Sequence, residues 1–232
     1  MITIELPDPP ERELTLLPAR RDRGEGDSAQ ALPGRLSLGG PVHRRIEIDS
    51  TDDAELRQFL EQEAADSAFF LLHLTCTLRP LEDEPFRQAY VEVVLENDAA
   101  APPIAWSMEP HELSDSVEIS RTVSLGPSLK IQGFGLDVSA GQSVKRERKD
   151  VSLSALYELE SRPAWELFST DSVPLTGVRR FHLVVRTPKE SMTTGTARVE
   201  AMIERKRFGL RKYNATFPGA PAPVSFALGP SS

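Results

Sequence analysis

The sequence predicts a mainly β chain: an antiparallel two-sheet β-sandwich with one short helix, with a β-barrel as the alternative. Three observations predict it. Residues 151–159 alternate, so that Val151, Leu153, Ala155, Tyr157 and Leu159 share one strand face opposite Ser152, Ser154, Glu158 and the single apolar exception Leu156. The same period of two recurs along most of the chain, where a helix would scatter these side chains around its circumference. Turn signals then separate about nine such runs from residue 69 onward, with no strand–helix–strand alternation and no internal repeat.

In chain order, residues 1–43 read as an extended or flexible segment. Ile2-Thr3-Ile4-Glu5-Leu6 is a possible edge strand stopped by Pro7, Pro9 and Pro10. Residues 20–29 are charged, with two glycines, and read as a linker. Residues 44–49 alternate as a short strand. Asp52 then suits an N-cap with Glu55 three positions on, the spacing of a capping box. The helix so begun is expected over 52–65, with Leu56, Phe59 and Leu60 on its apolar side.

Residues 69–78 are almost continuously apolar and read as a central buried strand. They are expected to form a hairpin with 86–96. Residues 104–108 carry Trp106 on a short strand. Residues 117–125 and 129–138 alternate, with Gly133 and Gly135 pointing to a bend in the second. The charged run 145–150 leads into 151–159, and Arg162-Pro163 ends that strand. Trp165, Leu167 and Phe168 re-enter the core. Residues 178–187 and 196–208 are strands, and 210–217 a last edge strand. Residues 44–217 thus make the sandwich domain, and 218–232 form a Pro/Ala/Gly/Ser tail.

Composition narrows the function. The net charge of −8 argues against a nucleic-acid binder, which carries a basic stripe. One cysteine, Cys76, excludes an intrachain disulfide. The first residues have neither the basic nor the apolar region of a secretion signal, and no apolar run is long enough to span a membrane as a helix. A cytoplasmic protein is expected, and the Arg-rich, Lys-poor composition suggests a bacterial one.

The search for chemistry yields no catalytic, cofactor-binding or metal-binding set. His73 and Cys76 are three apart on a strand and face opposite ways, so they cannot chelate together. His111-Glu112 lacks the rest of a zinc-protease motif. Gly126-Pro127-Ser128 lacks the second glycine of a nucleophile elbow. Cys76 sits mid-strand without a basic neighbour. The weak contact candidates are Trp106, as a stacking surface, and the basic cluster Arg205, Lys206 and Arg207. The expectation is a noncatalytic module for protein–protein interaction or self-association. The alternatives are a protein binding an apolar or carbohydrate ligand, and an enzyme whose site is dispersed in sequence.

Overall fold

The computed structural model describes residues 6–19, 31–47, 54–63, 65–114, 122–126, 129–132, 151–205, 209–216 and 224–229. The strands are β1 (Glu11–Pro18), β2 (Leu32–Arg45), β3 (Ser67–Leu78), β4 (Phe86–Asn97), β5 (Ile104–Glu109), β6 (Glu112–Ser114), β7 (Thr122–Gly126), β8 (Leu129–Gln132), β9 (Val151–Leu156), β10 (Ala164–Phe168), β11 (Gly177–Pro188), β12 (Thr193–Arg205), β13 (Gly209–Thr216) and β14 (Val224–Leu228). The helix α1 covers Ala54–Glu63, inside the expected 52–65. Its expected cap, Asp52, lies outside the described residues.

Among the described residues every strand pairing is antiparallel, as the alternation predicts. One sheet follows the order β5-β11-β3-β2-β1-β13-β12-β4-β10-β9-β6, with β14 added to β12, while β7 and β8 pair separately. The sheet folds back on itself at the β1–β13 pairing. Its two halves then pack face to face, and the rings of Trp165 on β10 and Phe181 on β11 meet at 4.8 Å. Leu72, Leu74, Val91, Val93, Leu183 and Val199 fill the same interior. Burial of such apolar surface is the main force holding the halves together.

The wrapped sheet nearly closes. Its end strands, β5 and β6, are consecutive in sequence and joined by Pro110 and His111. The free backbone edge of β5 is used as well: Leu159 N–H donates to Ala105 O (2.8 Å), and Ala105 N–H donates to Glu160 O (2.9 Å). At the corner, the Trp165 indole N–H donates to Pro110 O at 3.1 Å. Sandwich and barrel therefore describe one flattened, nearly continuous wall.

Four expectations need correction. The runs 69–78 and 86–96 are not a hairpin: β3 pairs with β2 and β11, and β4 with β12 and β10. The connection between them crosses from one half to the other. Arg35 of β2 fastens it, donating to Arg79 O (3.0 Å), Glu84 O (2.9 Å) and the Glu84 carboxylate (3.1 Å). Secondly, the sheet extends past 44–217 at both ends. β1, β2 and β14 belong to it, because Leu14, Leu16, Leu36, Leu38, Val224 and Leu228 are buried. Thirdly, β13 is no edge strand, since it lies between β1 and β12. Fourthly, the 151–159 alternation stops at Leu156, after which Tyr157 and Leu159 turn outward to 52% and 59% exposure. The charged run 145–150 lies outside the described residues.

Candidate interaction face

Among the described residues, the turn after β9 holds the non-glycine residues with positive φ. Tyr157 and Leu159 have φ of 62° and 66°. This left-handed region costs an L residue about 1–2 kcal/mol, because its Cβ crowds the following carbonyl. The turn is nonetheless held firmly. Glu160 N–H donates to Tyr157 O (3.2 Å), and Leu159 and Glu160 bond to Ala105. Glu158 Oε1 accepts from Met108 N–H (3.2 Å), and Ser161 Oγ donates to Pro103 O (2.5 Å). A tyrosine and a leucine are thus fixed in solvent by the hydrogen bonds of their neighbours and backbone rather than drawn out by their own chemistry. Backbone strain of this kind collects at functional sites.

Beside the turn lies a charged clamp. Glu92 of β4 is buried, its side chain only 7% exposed, between Arg162 and Arg198. Arg162 Nε and Nη2 both donate to Oε1, at 3.2 and 2.9 Å, and Arg198 Nε donates to Oε2. The two guanidinium side chains are 60% and 50% exposed, so one carboxylate holds two cations at the surface. The hydrogen bond to Glu92 raises the Arg198 pKa above its ordinary value. Burial, followed by the charge of Glu92 and the nearby Tyr157, raises that of Tyr90.

Tyr90 continues the face into a groove of about 230 Å³ lined by Gln88, Tyr90, Glu166, Glu200, Met202 and Lys212, together with Ala89 and Ala201. Register explains the lining: Glu166, Tyr90 and Glu200 lie opposite one another across β10, β4 and β12, and Gln88, Met202 and Lys212 across β4, β12 and β13. Gln88 Nε2 donates to Glu166, and Lys212 Nζ pairs with Glu200 at 2.5 Å. The face offers aromatic and apolar contact with fixed charges around it. It presents no nucleophile–base pair.

The residues singled out from sequence lie elsewhere. Trp106, on the outer face of β5, is half-buried: its ring meets Phe69 edge-on at 5.9 Å, and Arg186 Cζ sits 5.2 Å from its centroid. Arg205 ends β12, on the opposite half of the wall from Trp106 and beyond the Arg198–Met202 stretch of the same strand, while Lys206 and Arg207 lie outside the described residues. These candidates therefore form no single described patch. Of the histidines, His73 and His182 stack at 4.6 Å on the outer face, and register sets Glu109 opposite His182. Burial pushes Glu109 up to about 7 and His182 down to about 4. Among the described residues, no three His, Cys, Asp or Glu side chains gather as a metal site.

Sequence reasoning missed Tyr157, Leu159, Tyr90, Arg162 and Arg198. Strand alternation assigns Tyr157 and Leu159 to the core, and only the nearby Ser161-Arg162-Pro163 turn signal hinted that the strand ends early.

No family model matches the chain, and no curated protein matches it. Among solved structures, the membrane-inserted form of the Clostridium perfringens NetB toxin is similar at a TM-score of 0.36 and 10% identity, over 94% of each chain. At that level no property of the toxin carries over to this chain. No helix among the described residues is long and apolar enough to cross a membrane.

Proposed function

We propose that the protein is a noncatalytic interaction module that docks a protein partner, or a second copy, on the face formed by Tyr157, Leu159, Tyr90, Arg162 and Arg198. The observation that supports this reading is the Tyr157–Leu159 turn, which spends backbone strain to hold two large apolar side chains in water. Tyrosine and arginine are also the residue types that dominate binding energy at protein interfaces. A small polar ligand in the 230 Å³ groove is the second reading, favoured by Tyr90 flanked by Gln88, Glu166, Glu200 and Lys212.

The test is a photo-crosslinking residue placed at Tyr157 and, as a control, at the exposed Met192. Adducts formed from position 157 and not from 192, and lost when Leu159→Asn is added, support docking on this face. Asparagine tolerates the left-handed backbone, so the turn survives that change. Light scattering of the unaltered chain tells whether the partner is a second copy. Equal labelling from both positions refutes the reading.

A further inference from the structure

We infer that residues 7–10 form an acid-released latch: they strap the outer face of β2 and β3 while the His73–His182 stack is neutral, and let go when the stack is protonated.

The strap is fitted to its place. Pro9 is buried in a notch at Gly39 and Gly40. A Cβ on Gly39 would overlap Thr75 Oγ1 and crowd Pro9 at 3.2 Å, and one on Gly40 would lie 2.7 Å from His73 O. Gly40 also has φ of +83°, a conformation that glycine adopts freely. Two neighbouring glycines therefore make the space that the proline ring fills. Among the described residues, the other fastenings of the strap are weak. Three of its four residues are prolines without an N–H donor. The Asp8–Arg180 ion pair, at 3.5 Å, joins side chains that are 74% and 43% exposed, so it contributes little.

Beneath the strap lies the His73 imidazole, with His182 stacked on it. The two rings stack at 4.6 Å with 17° between their planes. His73 is 4% exposed, and neither of its ring nitrogens has a hydrogen-bond partner of good geometry. Thr75 Oγ1, under Pro9, is likewise buried without one. Such orphaned polar groups weaken the closed arrangement and are relieved by water when it opens. The groups facing the pair are Asp8 and the Pro7 carbonyl from the strap, Arg180 from β11 and Glu109 from β5. From β2 comes the apolar Val42, opposite His73. Asp8 and the Pro7 carbonyl favour a proton on His73, but burial outweighs them. For His182, burial comes first, then His73 and Arg180, and all three oppose a proton.

The sign follows. Both groups are held below their ordinary value while latched, so the latched state binds fewer protons than the open one. Acidification from the ordinary imidazole range downward favours opening. Opening therefore rises as pH falls from about 7.5 to about 5, across the range where an exposed imidazole takes up its proton. The product is a released segment ahead of β1.

Spin labels test this on the full chain with Leu6→Cys and Val178→Cys. The native Cys76 is fully buried and its thiol is pushed up to about 12, so it takes no label. A narrow distance distribution at pH 7.5 that broadens at pH 5, and stays narrow at pH 5 in the His73→Phe/His182→Phe variant, supports the latch. An unchanged distribution at pH 5, or equal broadening in the variant, overturns it. Imidazole NMR titration of the chain with both histidines intact removes dependence on that variant. Opening at the pH where the His73 and His182 rings take up protons supports the latch, and opening at another pH overturns it.

Discussion

Replacing Leu159 by glycine and, separately, by alanine isolates the strain in the exposed turn. Both changes remove the isopropyl group beyond Cβ, and that side chain is already 59% exposed. What differs is the backbone. Alanine keeps the Cβ that crowds the carbonyl at φ 66°, a cost of about 1–2 kcal/mol. Glycine removes it, but its unfolded chain is freer by about 0.5–1 kcal/mol. The difference leaves Leu159→Gly more stable than Leu159→Ala by about 0.5–1 kcal/mol, the reverse of the usual order within helices and strands. Urea unfolding reads this as a midpoint higher by about 0.3–0.5 M at an m-value near 2 kcal/mol/M. Both variants lose partner crosslinking, since both lose the apolar knob. An alanine variant as stable as the glycine one, or more so, refutes the claim that this turn stores strain.

Further outcomes follow from the core and the titratable groups. Trp165→Phe lowers unfolding stability by about 2–3 kcal/mol, because it leaves a cavity and strands the Pro110 carbonyl where the wall closes; denaturant titration measures it. Gly195→Ala drives a methyl group into the Phe226 ring across the β12–β14 ladder, which costs about 1–3 kcal/mol. Hydrogen exchange then shows faster exchange in β14 than in β3. Glu109 and His182 give opposite pH slopes. Glu109, raised to about 7, contributes stability that is present at acid pH and lost as pH climbs from about 4.5 through 7. His182, lowered to about 4, contributes stability lost as pH falls from 6.5 through 4. Glu109→Gln therefore stabilises the protein at pH 8, by about 1 kcal/mol after allowance for its partial exposure, and steepens the loss on acidification. Urea midpoints across pH 4–8 check both slopes. Cys76 reacts with a thiol reagent only after unfolding, because burial keeps it protonated; the rate with and without urea decides.

Alternation made the strands of the wall legible, since a half-buried sheet needs one apolar face at every second residue. It read Trp165 into the core and put His73 and Cys76 on opposite faces of β3. It failed where burial has another cause. β3 is buried on both faces, so its apolar run could not reveal its neighbours, and proximity in sequence wrongly suggested β4. Leu14, Leu16, Leu36 and Leu38 carry the same signal as the later strands, but the prolines and charges around them masked it. The candidate face was illegible because a left-handed tyrosine or leucine has no compositional mark. Hydrogen bonds from β5, some fifty residues earlier in the chain, fix that turn. Glu92 between Arg162 and Arg198 is likewise assembled from three strands or their connections.

The pairing of β1 with β13, where Leu16 lies opposite Ala215, has a consequence for synthesis on the ribosome. The β1–β2–β3 meander can zip as it emerges, because its partners are near in sequence. Its free edge must then wait until β13, far along the chain, has left the exit tunnel. Such distant closure is slow, and it leaves a hydrogen-bonding edge open meanwhile. A ribosome stalled before position 209 therefore displays β1 unpaired on that side, and nascent-chain capture by chaperones peaks there and falls once β13 docks.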